Sequence, residues 1–268
     1  SVTGLFRLDI ETDFTKNFRR GSPIVRSYAF IEENLGGAGV WDILVPAPSS
    51  LDNAYVERIR SLEQQLRDIT TRGKDGRQVP GLTKVLSLID GIDAASINPI
   101  LKRVPPEVRA KLMAVAMPHF VNALRTNHKQ AGETNYIRIM LRAREQQSAA
   151  EKSQLISDVR RLTAEHFPPS NDDRGAEVTG FYVLLTNLIT SMLRDQWTCF
   201  GVATLGVGLM MFLSFRNLSM ALIALVPNVL PIIVVLGAMG WLGIRVNMGA
   251  AMIAAVSMGL SVDSSIHY

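Results

Sequence analysis

An aspartate and a histidine stand four residues apart near the C-terminus, within a segment that is otherwise apolar. Asp263 and His267 lie in the run from Met258 to Tyr268, and Ser264 directly follows the aspartate. Ionisable side chains in membrane-like segments are energetically costly and usually mark an ion pathway, a proton relay or a buried pair. If the run is helical, positions i and i+4 share a face, so a proton could pass from the aspartate to the histidine. Asp263, His267 and Ser264 are therefore candidate residues of a proton relay.

Each of these residues also has a structural explanation. Asp263 could be hydrogen-bonded to neighbouring serines, His267 could make an ordinary hydrogen bond near the membrane face, and Ser264 could serve helix packing. A hydrolase triad is not expected, because one helical turn does not give the in-line geometry that a triad needs.

Charge is distributed unevenly along the 268 residues. From Gln196 to Tyr268 the charged residues are Arg216, Arg245 and Asp263, and the other 49 of the 52 lie earlier in the chain. The earlier part is nearly balanced, with 26 basic and 23 acidic residues and no block of like charges. This balance argues against nucleic-acid binding. The uneven distribution predicts a water-exposed first part and a membrane part after it.

The first 180 residues alternate between strand-like and helix-like periodicity. The predicted strands are 40–45, 82–88, 134–141 and 176–180, and the predicted helices are 23–35, 51–69 and 149–167, after an extended lead-in at 1–20. Prolines break the stretch 91–127, which predicts a helical insertion. The order βαβ, insertion, βαβ predicts an α+β, ferredoxin-like domain over residues 1–180.

The remaining chain predicts membrane contact. Residues 181–195 have the pattern of an amphipathic helix at the membrane interface. The charge-poor runs after it predict an all-α region of three transmembrane helices, at about 197–215, 218–243 and 246–268. The last of these is rich in small residues, which favour close helix packing. Both ends of the chain look cut, so we expect a fragment of a longer protein.

Three features together resemble the resistance-nodulation-division (RND) transporter superfamily, in its MMPL, hopanoid-transporter and Patched-like branch. The run from Gly259 to His267 is similar to the fourth-helix signature of that branch. Pro227, Pro231 and the segment 243–247 are similar to its third helix and the turn that follows. The order of a βαβ-based domain before the helices fits the first porter domain with transmembrane helices 2 to 4.

The resemblance implies a proton-driven exporter in the cell inner membrane, with residues 1–195 on the periplasmic side. Asp263 matches the membrane aspartate that carries the proton. The resemblance further implies that the protein is not an enzyme and has no cofactor, with protons as the coupling ion. Drug-efflux members have a second aspartate where this chain has Ser264, so we expect export of lipids or other hydrophobic molecules. The expected partners are the bilayer, such a substrate, the remainder of the chain and other copies of it. Two alternatives remain open, a lipid-sensing protein of Patched or sterol-sensing type and a SecDF-like accessory to protein export.

Overall fold

The computed structural model describes residues 18–19, 21–48, 50–72, 77–97, 99–126, 135–169 and 175–243. These residues belong to two compact units, which divide between Leu185 and Thr186. We call them the sheet unit and the helical unit.

The sheet unit contains strands interleaved with helices. In chain order these are α1 (Pro23–Asn34), β1 (Gly39–Ala47), α2 (Asn53–Arg67), β2 (Thr70–Arg72), β3 (Gln78–Pro80), β4 (Leu82–Leu86), α3 (Leu88–Ala95), α4 (Pro99–Lys102), α5 (Pro106–Ala116), α6 (Pro118–Leu124), β5 (Asn135–Ala143), α7 (Ala149–His166) and β6 (Glu177–Thr179). Two further helices follow, α8 (Phe181–Phe215) and α9 (Leu218–Trp241).

The main sheet has four strands in the order β4, β5, β1, β6. All neighbours are antiparallel, and β1 pairs with β5 from Gly39 opposite Ala143 to Ala47 opposite Asn135. The two strands of the first βαβ unit, β1 and β4, are not adjacent in the sheet, because β5, which comes later in the chain, lies between them. A separate two-stranded ribbon is formed by β2 and β3, between the predicted helix 51–69 and the predicted strand 82–88, where no strand was predicted.

The core lies on one face of this sheet. Alternate residues of β1 and β5 are buried, which is the two-residue period of a strand with one covered face: Trp41, Ile43, Val45, Ile137, Ile139 and Leu141. Apolar residues of α2 and α7 complete the same core cluster, among them Ile59, Leu62, Leu155 and Val159. The helical stripes predicted from the sequence are therefore the core-facing sides of these two helices.

Side-chain caps fix where the core helices begin. The Asp52 carboxylate accepts the Tyr55 N–H at 2.7 Å at the start of α2. At the start of α7, Ser148 and Glu151 form a reciprocal capping box. These groups satisfy amide donors that a helix N-terminus otherwise leaves unpaired, so each helix begins at a defined residue.

Helices α3 to α6 form an insertion between the paired strands β4 and β5. A Glu107 carboxylate oxygen accepts the Leu51 N–H at 3.0 Å, which ties the insertion to the start of α2. Within the insertion, the buried Arg109 guanidinium donates to the Ile92 carbonyl and the Ser96 hydroxyl. The insertion is thus held by specific hydrogen bonds as well as by apolar contacts.

The fold class expected from the sequence is wrong, because its transmembrane region is not seen. Within the described part of the chain, none of the helices has both the length and the apolar character needed to cross a membrane. The molecule is instead a mixture of helices and a four-stranded antiparallel sheet. The third predicted span, 246–268, lies outside the described residues.

The segment predicted as an interfacial helix does not form a separate element. Residues 181–195 are the first part of α8, which continues without a break to Phe215. The predicted lead-in at 1–20 falls almost wholly outside the described residues.

Candidate functional site: an apolar groove between α8 and α9

The predicted proton relay has no described geometry. Asp263, Ser264 and His267 all follow Gly243, the last residue that the structure describes. Their assignment remains a prediction from the sequence. The candidate site that the structure does describe lies earlier in the helical unit, between α8 and α9.

A tight turn brings α8 and α9 together. Arg216 has a φ of 47°, a left-handed conformation that reverses the chain directly after α8. The Asn217 side chain then accepts the Ser219 N–H at 3.0 Å and caps α9. The two helices therefore form an antiparallel hairpin with a short connection.

An apolar groove runs between the two helices of this hairpin. Its volume is about 450 Å³, and an adjoining depression of about 310 Å³ shares part of its lining. The groove is lined by Thr204, Leu205, Gly208, Leu209, Phe212, Leu218, Ala221, Leu222 and Leu225. Thr204 is the one polar side chain in this set, and the set contains no charge.

Such a lining can hold hydrocarbon but offers little to a polar or charged ligand. Ligand pockets are mostly apolar with a few placed polar groups, and this groove lies at the apolar extreme. At Gly208 the absent side chain leaves room, since a Cβ there would lie 3.8 Å from the nearest atom, Leu225 Cδ2. Large side chains beside the groove, including Leu213 and Ile223, are also exposed, which makes the hairpin an apolar surface as well as a groove.

The groove could not be predicted from the absence of charge in the run 197–215. A finer signal was present. Leu205, Leu209 and Phe212 recur at i, i+4 and i+7, and Leu218, Leu222 and Leu225 repeat the same spacing on α9. Two matching stripes joined by a short turn indicate facing helices.

A second cluster, in the sheet unit, is polar and buried. Lys152 Nζ lies 2.5 Å from Glu145 Oε1 and 5.5 Å from the centre of the Tyr182 ring. The Tyr182 hydroxyl donates to Gln147 Oε1 at 3.4 Å. Burial, together with the negative charge of Glu145, raises the pKa of Tyr182 above its ordinary value. We call these four residues the polar cluster, and since its members satisfy one another it joins α7 to the start of α8.

A single buried carboxyl group stands apart from that cluster. Glu63 on α2 is only 2 % exposed, and its Oε1 has no hydrogen-bond partner among the described residues. Burial raises the pKa of Glu63 to about 7, although a hydrogen bond from Ser87 opposes the shift. In the described part of the chain, no set of three or more His, Cys, Asp or Glu residues is placed to hold a metal ion.

Comparison with known proteins points to a membrane protein without naming an activity. No family model matches the chain. A protein of Methanocaldococcus jannaschii, named "Putative membrane protein MJ1562", is 24 % identical over 272 residues. The match covers 96 % of this chain and 64 % of that protein, so the chain spans less than two thirds of its relative's length. The similarity is consistent with a membrane localisation and supports nothing finer.

Proposed function

We propose that this chain is part of an RND-type, proton-driven exporter of lipids or other hydrophobic molecules. The observation that carries the proposal is the groove between α8 and α9, whose lining is hydrocarbon apart from Thr204. A ligand that prefers such a lining over water is itself mainly apolar. The named relative, a membrane protein, supports the same setting.

The proposal places residues 1–195 on the extracytoplasmic side of the cell membrane. The split βαβ arrangement of β1, β4, β5 and β6 supports the resemblance to a porter domain. In the proposed cycle, Asp263 takes up a proton on one side and releases it on the other, and its change of charge shifts the balance between two conformations.

The test is transport by the full-length protein in vesicles with an imposed pH gradient. Asp263→Asn removes the titrating group and should abolish both proton flux and accumulation of a fluorescent lipid. Asp195→Asn is the matched control, since it removes an exposed carboxylate of α8 and should retain both activities. Unchanged flux and accumulation in Asp263→Asn would contradict the proposal, and lipid binding without any flux would favour the lipid-sensing alternative.

A further inference from the structure

Helix α5 of the insertion carries apolar side chains on two faces. Its inner face includes Pro106 and Ala110, which are buried. Val108, Leu112 and Val115 follow one another at i, i+4 and i+7 and lie on the opposite, exposed face. Val115 is 83 % exposed. We call these three residues the outer stripe.

An outer stripe of this kind is not explained by folding of the sheet unit. A surface helix normally has polar residues on the side away from the core, and a helix that is apolar on both sides normally has a second apolar neighbour. Single exposed apolar residues need no explanation, but three in helical register form a patterned surface. The surface therefore calls for a partner, and the charges around it indicate which one.

The segment that carries the outer stripe is rich in basic residues, although Arg109 and Arg125 are largely buried and hydrogen-bonded or paired. From Pro99 to Thr126 the sequence has five basic residues and one acidic residue, Glu107. Lys102, Arg103 and Lys111 are exposed. Both carboxylate oxygens of Glu107 have partners: one accepts the Leu51 N–H, and the other lies 3.5 Å from Lys111 Nζ. The segment that carries the stripe thus combines exposed apolar side chains with net positive charge.

We propose that the outer stripe docks on an anionic lipid surface. A short helix with an apolar face and flanking lysine and arginine binds such a surface by burying the apolar side chains while the cations approach the headgroups. A second copy of this chain fits less well, because two positively charged segments would then face each other and repel. The contact goes beyond transport and would hold the insertion against the membrane whether or not a substrate is bound.

The test uses the full chain with an environment-sensitive dye on the outer stripe. Val115→Cys is labelled with nitrobenzoxadiazole in a Cys199→Ser background, which removes the single native cysteine. Emission is compared in vesicles of phosphatidylcholine alone and of phosphatidylcholine mixed with phosphatidylglycerol. Ser153→Cys, at an exposed position of α7, is the control label.

We expect a blue shift at position 115 in the anionic vesicles only, and none at position 153. The shift should be lost in Lys102→Gln/Arg103→Gln, which keeps the outer stripe and the pairing of Lys111 intact. Equal emission in the two vesicle types would overturn the proposal. A shift that depends on protein concentration and not on lipid charge would also overturn it, and would assign the stripe to a second copy of the chain.

Discussion

Lys152 and Glu145 form an ion pair that water hardly reaches. The Nζ and Oε1 atoms lie 2.5 Å apart, and the two side chains are 1 % and 6 % exposed. The pair joins α7 to the segment that follows β5. A buried pair contributes little when both charges are present, but removing one partner leaves the other charge buried and uncompensated.

Replacing one member of this pair should therefore be costly. Lys152→Met leaves the Glu145 carboxylate buried without its partner and should lower the free energy of unfolding by about 3–5 kcal/mol. The double variant Lys152→Met/Glu145→Gln should recover much of the loss, as measured by urea unfolding followed by tryptophan fluorescence. Lys111→Met is the control, because its pair with Glu107 is solvent-exposed on the lysine side and should change stability by less than about 1 kcal/mol. A single Lys152 variant as stable as the unmodified chain would contradict this account.

The raised pKa of Glu63 predicts that the sheet unit becomes less stable as pH rises toward neutrality. Its pKa is about 7 in the folded chain and 4.5 ordinarily, so the folded state binds the proton more tightly. The resulting stabilisation is complete below pH 4.5 and is lost as pH rises through 7, for a total of about 3 kcal/mol. The charged groups that face Glu63 are Arg67, which favours its ionised form, and Asp90 and Asp93, which disfavour it.

Glu63→Gln should flatten this pH dependence and raise stability above pH 7. The measurement is the urea midpoint of the unmodified chain and the variant at pH values on both sides of neutrality. Glu57→Gln on the exposed side of the same helix is the control, and its urea midpoint should depend on pH as in the unmodified chain. If the urea midpoint changes with pH in the same way in the unmodified chain and in Glu63→Gln, Glu63 is not the origin of the pH dependence.

Gly37 occupies a position that no other residue type can fill without strain. Its φ is +115°, and a Cβ there would lie 2.2 Å from the Ala143 carbonyl oxygen. Gly37→Ala should lower the free energy of unfolding by at least about 2 kcal/mol, because the left-handed backbone and the clash both oppose it. Gly21→Ala, with nothing within 4 Å of its added Cβ, should change stability little. The melting temperatures of the two variants are compared by thermal unfolding. Equal melting temperatures would contradict the predicted strain at Gly37.

The groove between α8 and α9 can be tested by filling it. Gly208→Trp places an indole in the groove and should abolish binding of a fluorescent fatty acid. Gly201→Trp adds the same side chain on the same helix where an added Cβ has open space, outside the groove lining, and should leave binding intact. Loss of binding in both variants would indicate a general effect of the bulky side chain on α8. Retained binding in Gly208→Trp would place the ligand elsewhere.

Periodicity predicted the elements whose pattern is dictated by burial. The stripe of α2 and the alternation of β5 follow directly from which residues the core covers, so both could be located from spacing alone. The ribbon of β2 and β3 could not, because its strands have three residues each and are largely exposed. Short, solvent-facing strands have no hydrophobic signature, and their pairing is set by the chain around them.

The candidate sites divide in the same way. The relay of Asp263 and His267 is a prediction that rests on two ionisable residues in an apolar run, and the sequence alone does not give their geometry. The groove, the polar cluster and the burial of Glu63 depend on residues distant in sequence. For Lys152 and Tyr182, each residue is unremarkable until the fold brings the two together.

The position of the insertion also affects how this sheet assembles. Strands β4 and β5 are neighbours although Leu86 and Asn135 are separated by the whole of α3 to α6. Closing that connection is a long-range event, which slows folding relative to a hairpin with a tight turn. Once it is closed, however, doubling its length would cost only about 0.6 kcal/mol in loop entropy. The same four strands can therefore tolerate insertions of very different size here, and the surface presented by α5 can change through evolution while the register of the sheet stays fixed.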